Sequence, residues 1–88
     1  MGNEKLDELK LDTVAFKVLC YLTFREAALK PAEIAKGIGV NPSTVRARLA
    51  ELKNAGLVES KPNGYVSALN PYDILMKFYR NIKKGTGG

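Results

Sequence analysis

The apolar positions change spacing along the chain, and each change marks a new element. Over residues 12–26, Val14, Ala15, Val18, Leu19 and Leu22 recur three and four apart behind Leu11, which is one face of an α-helix. A second stripe, Phe16, Cys20 and Phe24, recurs every four residues on another side. The helix is therefore apolar over most of its circumference and needs cover on more than one side. Asp12 or Thr13 can cap it. Residues 31–38 repeat the helical spacing with Ile34, Ala35 and Ile38. Pro31 suits the first turn of that helix, and Gly39 permits the turn that ends it. A helix over 42–55 follows, with Asn41 as cap, Pro42 at its first position and Gly56 as its stop. Its Val45, Leu49 and Leu52 lie within about 60° of one another at 100° per residue, so they form the buried edge. Ser43, Ala47, Ala50 and Asn54 face the other way, flanked by Arg46 on one side and by Thr44, Arg48 and Glu51 on the other.

The spacing then shortens. Leu57–Ser60 and Tyr65–Ala68 read as two short strands around Lys61-Pro62-Asn63-Gly64. Pro62 and Asn63 suit the central positions of a type I turn, and Gly64 suits the bulge position after it. The hairpin fills 57–69. The link Ala28-Leu29-Lys30 has the length of one very short strand that could pair with it. Asn70-Pro71 opens a last helix over 71–84, with an apolar stripe of Ile74, Leu75, Phe78, Tyr79 and Ile82. Lys77, Arg80, Lys83 and Lys84 make up its polar, basic side. The expected architecture is mainly α with a small β-hairpin (α+β), as a single domain over 12–84. Residues 1–11 are expected to be flexible or partly helical, with Leu6 and Leu9 as anchors, and 85–88 to be a flexible tail.

Two helices that cross at a fixed angle need a small residue where they approach, a Gly in the turn and a branched apolar residue to lock the second helix down. Ala35, Gly39 and Val45 meet these needs in order. With them in place, IAKGIGVNPSTVRARLAELKNAGLVE resembles the winged helix-turn-helix domains of prokaryotic (bacterial and archaeal) transcriptional regulators, of the MarR, ArsR and TrmB-like groups. The resemblance runs over about residues 12 to 69. It implies that Ser43, Thr44, Arg46 and Ala47 read base edges in the major groove of double-stranded DNA, with Arg48 near a phosphate or base. It also implies that Lys61 and Asn63 touch the minor groove or the backbone from the hairpin tip, the "wing". The chemistry agrees: Arg pairs bidentately with guanine, and Ser or Thr bonds to bases or phosphates. Lys53 and Lys36 are phosphate candidates of low specificity. Set against this, surface Arg side chains are most often a solvated face, and Pro-Asn-Gly is what the turn itself requires.

Composition adds less. With 88 residues the chain has room for one modest core. Its formal charge is +5, and the excess of base begins after the N-terminal dozen residues, which favours a polyanionic partner. One Cys and no His exclude an intrachain disulfide and a zinc site of the usual kind. No leader-like segment and no apolar run of membrane-spanning length is present, so a cytoplasmic protein without a membrane is expected. No cofactor is implied and no small-molecule effector is evident. No phosphate-cradling Gly loop, nucleophile elbow or His base supports an enzyme. Phe16, Cys20, Phe24, Phe78 and Ile82 are the residues from which a homodimer would be built; packing of the last helix over the 12–26 helix within one chain is the competing use. The functional expectation is sequence-specific DNA binding in transcriptional regulation. The alternative is a winged-helix protein–protein interaction module in a replication, transcription or other nucleic-acid complex. A third option, single-strand or architectural binding, would need exposed aromatics and finds only Tyr65 near the wing.

Overall fold

The computed structural model describes residues 4–85. Its elements in order are α1 (Glu4–Glu8), α2 (Val14–Arg25), α3 (Pro31–Ile38), α4 (Pro42–Asn54), β1 (Val58–Lys61), β2 (Gly64–Ser67) and α5 (Pro71–Gly85). Thr13 caps α2, its Oγ1 accepting from the Phe16 N–H at 3.2 Å. The end of α2 has no glycine: Glu26 itself takes the left-handed conformation, at φ 57°. At the end of α3, Gly39 takes that role at φ 73°, and its N–H reaches the Ala35 carbonyl. Asn41 then caps α4 by accepting from the Ser43 N–H. The expected 12–26 helix is thus trimmed to its capped core, and the other helical bounds fall within a residue of expectation.

The core is one cluster in which α2, α3 and α4 meet. Val18, Leu19 and Leu22 come from α2, Ile34 and Ala35 from α3, and Val45, Leu49 and Leu52 from α4, joined by Leu57, Val58 and Ile74. The inner edge of α4 is therefore the one its periodicity gives. β1 and β2 pair antiparallel with Val58 opposite Ser67 and Lys61 opposite Gly64. The 28–30 link does pair with this hairpin. The Leu29 N–H donates to the Tyr65 carbonyl (3.0 Å) and the Tyr65 N–H to the Leu29 carbonyl (2.8 Å). Gly64 is needed for this approach as well as for its φ of 139°, because a Cβ there would lie 2.5 Å from the Leu29 carbonyl oxygen. Thr23 holds the hairpin from the other side: its hydroxyl donates to the Leu19 carbonyl (2.7 Å) and shares a hydrogen bond with the Ser67 hydroxyl (2.7 Å).

The two ends of the chain depart most from expectation. α1 carries Leu6 fully into the core, with Leu9 packed against it, so the two expected anchors hold this segment more firmly than a flexible extension. Asp7 on the same turn pairs with Arg80 at 2.6 Å. Lys77, expected on the solvent side of α5, is buried at 2% exposure. The reason is the roof over it: its Nζ donates to the Asp7 carbonyl (3.3 Å) and sits 5.7 Å from the centre of the Phe16 ring. Of the expected apolar stripe of α5, only Ile74 is buried, while Leu75, Phe78, Tyr79 and Ile82 are exposed. The polar side of α5 is thus partly inside and most of its apolar side outside. The helix runs one residue past 84; the rest of the tail expected to be flexible, 86–88, and residues 1–3 lie outside the described residues.

Candidate nucleic-acid interface

α4 presents a face of small and polar groups to solvent. Ser43, Arg46, Ala47, Ala50, Lys53 and Asn54 are all exposed, and Val45, Leu49 and Leu52 hold the opposite edge in the core. Two alanines at the middle of the face leave the backbone close to whatever lies against it. Arg46 and Lys53, seven residues apart, line one flank. The N-terminus of α4 adds the positive end of its helix dipole. Ser43 is tied into the cap, its hydroxyl donating to Asn41 Oδ1 at 2.8 Å, which leaves the hydroxyl lone pairs as acceptors. Thr44 is half-buried.

The two arginines are not equivalent. Arg46 is exposed, makes no ion pair among the described residues, and projects from the outer face. Arg48 is half-buried. It makes an ion pair with Glu51 at 2.7 Å and lies in a shallow cleft with Leu9, Lys10 and Val14. Its Nε is buried without a partner. Arg48 is thus directed towards the α1–α2 junction rather than along the outer face of α4. The i, i+3 spacing of Arg48 and Glu51 is the sequence signal that announces this pairing.

At the hairpin tip, Lys61 and Asn63 are exposed, and Lys61 lies 3.3 Å from Glu59. This surface ion pair is weakly held but offsets the one positive charge of the wing. Tyr65 is half-buried, packed on the core and held by the Leu29 bridge, so its ring is no free stacking platform. Lys17 on α2, Lys36 on α3 and Lys30 at the N-cap of α3 are exposed.

The residues expected to build a dimer divide. Phe16 is buried, edge-on to Phe78 with ring centres 5.7 Å apart, so its ring is spent inside the chain. Cys20 is half-buried beside Lys77, and burial pushes its thiol up to about 11 although the Lys77 charge pulls the other way. A thiol so protonated packs as a small apolar side chain at neutral pH. Phe24, Phe78 and Ile82 remain exposed. Leu75 and Tyr79, read from sequence as part of the same apolar stripe but not as dimer residues, are exposed beside Phe78 and Ile82, and so is Tyr72, which the sequence reading did not place in the stripe. No group of three or more His, Cys, Asp or Glu that could hold a metal gathers among the described residues. Nor is any helix among them long and apolar enough to cross a membrane.

No curated protein and no solved structure matches the chain. One family model does, over residues 10–81, which takes in everything from the α1–α2 junction into the last turns of α5. That span adds α5 to the region of resemblance read from sequence, and the family is that of HrcA rather than MarR or ArsR. The turn at Gly39, the capped α4, the short wing and this match together show that the chain belongs to the family of winged helix-turn-helix transcription repressors, HrcA DNA-binding.

Proposed function

We propose that this chain binds double-stranded DNA with α4 in the major groove and acts there as a homodimeric transcriptional regulator of the prokaryotic cytoplasm. The observation that carries the reading is the outer face of α4: exposed Ser43, Arg46 and Ala47 on its first two turns, with no large side chain in the way. Arg46 is the base reader, suited to the O6 and N7 edge of guanine. Ser43, Thr44 and Ala47 contact base edges or the sugar–phosphate chain beside it. Lys53, Lys36 and the wing residues Lys61 and Asn63 serve the phosphates, so affinity comes largely from counterion release. Arg48 acts mainly through its contact with Glu51, by positioning the helix. The interaction-module alternative has less support at α4, where a protein-binding face would carry apolar or more acidic groups.

The test is a titration of labelled duplex DNA at two salt concentrations with wild type, Arg46→Ala and Arg48→Ala. Arg46→Ala should lose about 1–3 kcal/mol of affinity for a preferred site and relax specificity there, with the salt slope largely kept. Arg48→Ala should lose clearly less. Absence of binding at low salt removes the DNA reading. Binding indifferent to Arg46→Ala removes the assignment of α4.

A further inference from the structure

The outward side of α5 is the largest feature that DNA binding does not use. Tyr72, Leu75, Tyr79 and Ile82 are 66%, 57%, 56% and 64% exposed, and Phe78 beside them is 37% exposed. They succeed one another at intervals of three, four and three, which is the seam spacing of one helix packed along another. Among the described residues, no charged residue falls on the helical wheel between Phe78 and Tyr72 through this seam, and Lys77 and Arg80 point to other sides; Lys83 borders it just beyond Tyr72, its Nζ 6.0 Å from the centre of the Tyr79 ring. α5 runs antiparallel to α2, since Phe16 meets Phe78 while Leu22, Thr23 and Ala27 line a cleft with Pro71. Phe24, also exposed, is on the last turns of α2 and therefore towards the Tyr72 end of α5. A patch of this size on one small chain marks an interaction surface.

We infer that this face is the homodimer interface, and that α5 packs antiparallel against α5 of a second copy, with Tyr72 against Ile82 and Leu75 against Tyr79 across the two-fold axis. The inference rests on the homodimer reading above and names its surface. Two arguments select a second copy in this orientation. The first is area. At roughly 200 Å² for a large side chain, the exposed fractions leave about 600 Å² on each chain, so two copies bury on the order of 1,000–1,200 Å² before any rim is counted. That reaches the size of a specific interface. The second is charge. Arg80 and Lys83 lie in the C-terminal half of α5. Parallel packing would set these cations of both chains side by side, together with like ends of two helix dipoles. Antiparallel packing about residue 77 separates the two Lys83 positions by about 18 Å along the axis, at about 1.5 Å per residue. Each residue of the seam then meets its complement, as a two-fold interface requires.

Sedimentation of the full chain tests this, with Leu75→Glu and Tyr79→Glu beside wild type. Wild type should be a dimer at micromolar concentration, and each variant should self-associate about 100-fold or more weakly. Circular dichroism checks that the variants keep their helices. Orientation is read by mixing Tyr72→Cys chains with Ile82→Cys chains, both in a Cys20→Ala background, and adding a short bis-maleimide. Links between the two kinds of chain should outnumber links within either kind. Links only within a kind mean parallel packing and overturn the arrangement. A monomeric wild type, or folded variants that remain dimeric, overturns the surface. So does a monomeric wild type that binds vesicles of anionic phospholipid through α5. Folded variants that remain dimeric fail this inference alone, a monomeric wild type that still binds duplex DNA fails it together with the homodimer reading, and a dimer that does not bind duplex DNA fails the DNA reading alone.

Discussion

α4 and α5 are both amphipathic helices with one side on the core, yet they treat their other sides in opposite ways. α4 turns small and polar groups outward, with Arg46 and Lys53 on one flank. α5 turns Tyr72, Leu75, Tyr79 and Ile82 outward and draws Lys77 in beneath α1. A helix whose free side is polar is complete in water or against a wet, charged surface such as DNA. One whose free side is apolar is complete only when something apolar covers it. Within one small domain, the two helices therefore point to two kinds of partner.

Leucine occurs on both helices, which permits the sharpest attack on this contrast. Leu49 of α4 is fully buried and Leu75 of α5 is mostly exposed. Leu49→Ala should cost about 3 kcal/mol, the usual loss for a leucine whose cavity cannot collapse, and DNA binding should go with the fold. Leu75→Ala should change the stability of the dilute, monomeric chain by less than about 0.5 kcal/mol. Chemical denaturation at low protein concentration measures both. Equal losses at the two sites would mean that the outward side of α5 is part of the monomer's core, and the contrast would collapse.

Most of the α3–α4 unit could be read from sequence because punctuation and periodicity agree there. Pro31, Gly39, Asn41-Pro42 and Gly56 fix the ends of the two helices, and Val45, Leu49 and Leu52 leave one side to bury. The short wing was legible through Pro62, Asn63 and Gly64, although the contact of Gly64 with the Leu29 backbone was not, since it depends on a chain crossing. Periodicity also found the apolar side of α5. It could not say whether that side was covered, because a wheel orders side chains around a helix without telling where the neighbouring helix sits. Lys77 lies about 60° from Ile74 on the wheel, on the side that meets α2, and its charge hid that position. Leu6 and Leu9 were legible as anchors of a partly helical segment, but two apolar residues among charges could not tell how deeply Leu6 enters the core. At the proposed DNA face, periodicity gave the outward side of α4 but kept both Arg46 and Arg48 as DNA contacts. The Glu51 contact that separates them was legible only as a spacing.

A smaller effect tests the inner side of α5. Lys77 is held by the Asp7 carbonyl and the Phe16 ring, while its methylene stem is buried. If the stem matters as packing, Lys77→Ala should cost about 1–2 kcal/mol and Lys77→Met should recover half or more of it. Methionine keeps the length and apolar surface of the stem and gives up only the charged tip. Melting temperatures of the three chains decide this. Methionine no better than alanine would shift the weight to the ammonium group and make α5 as polar inside as it is apolar outside.

The smallest effect concerns the same corner and shows only in alkali. Burial raises the Cys20 thiol from 9.0 to about 11, against the pull of the Lys77 charge. In the unfolded chain the thiol ionises first, so the native state binds the proton more tightly between these values. The contribution is therefore fully present at neutral pH and is lost as the pH rises from about 9 through about 11. Wild type should lose stability over that window more steeply than Cys20→Ala, and the two should melt in parallel below it. Alkylation of the native thiol should still be accelerating above pH 9. In Lys77→Met, where the favourable charge is gone, the onset should move higher still. A thiol that reacted fully by pH 9 would mean that α5 does not cover Cys20, and would open the α2–α5 seam on which the inward half of the contrast depends.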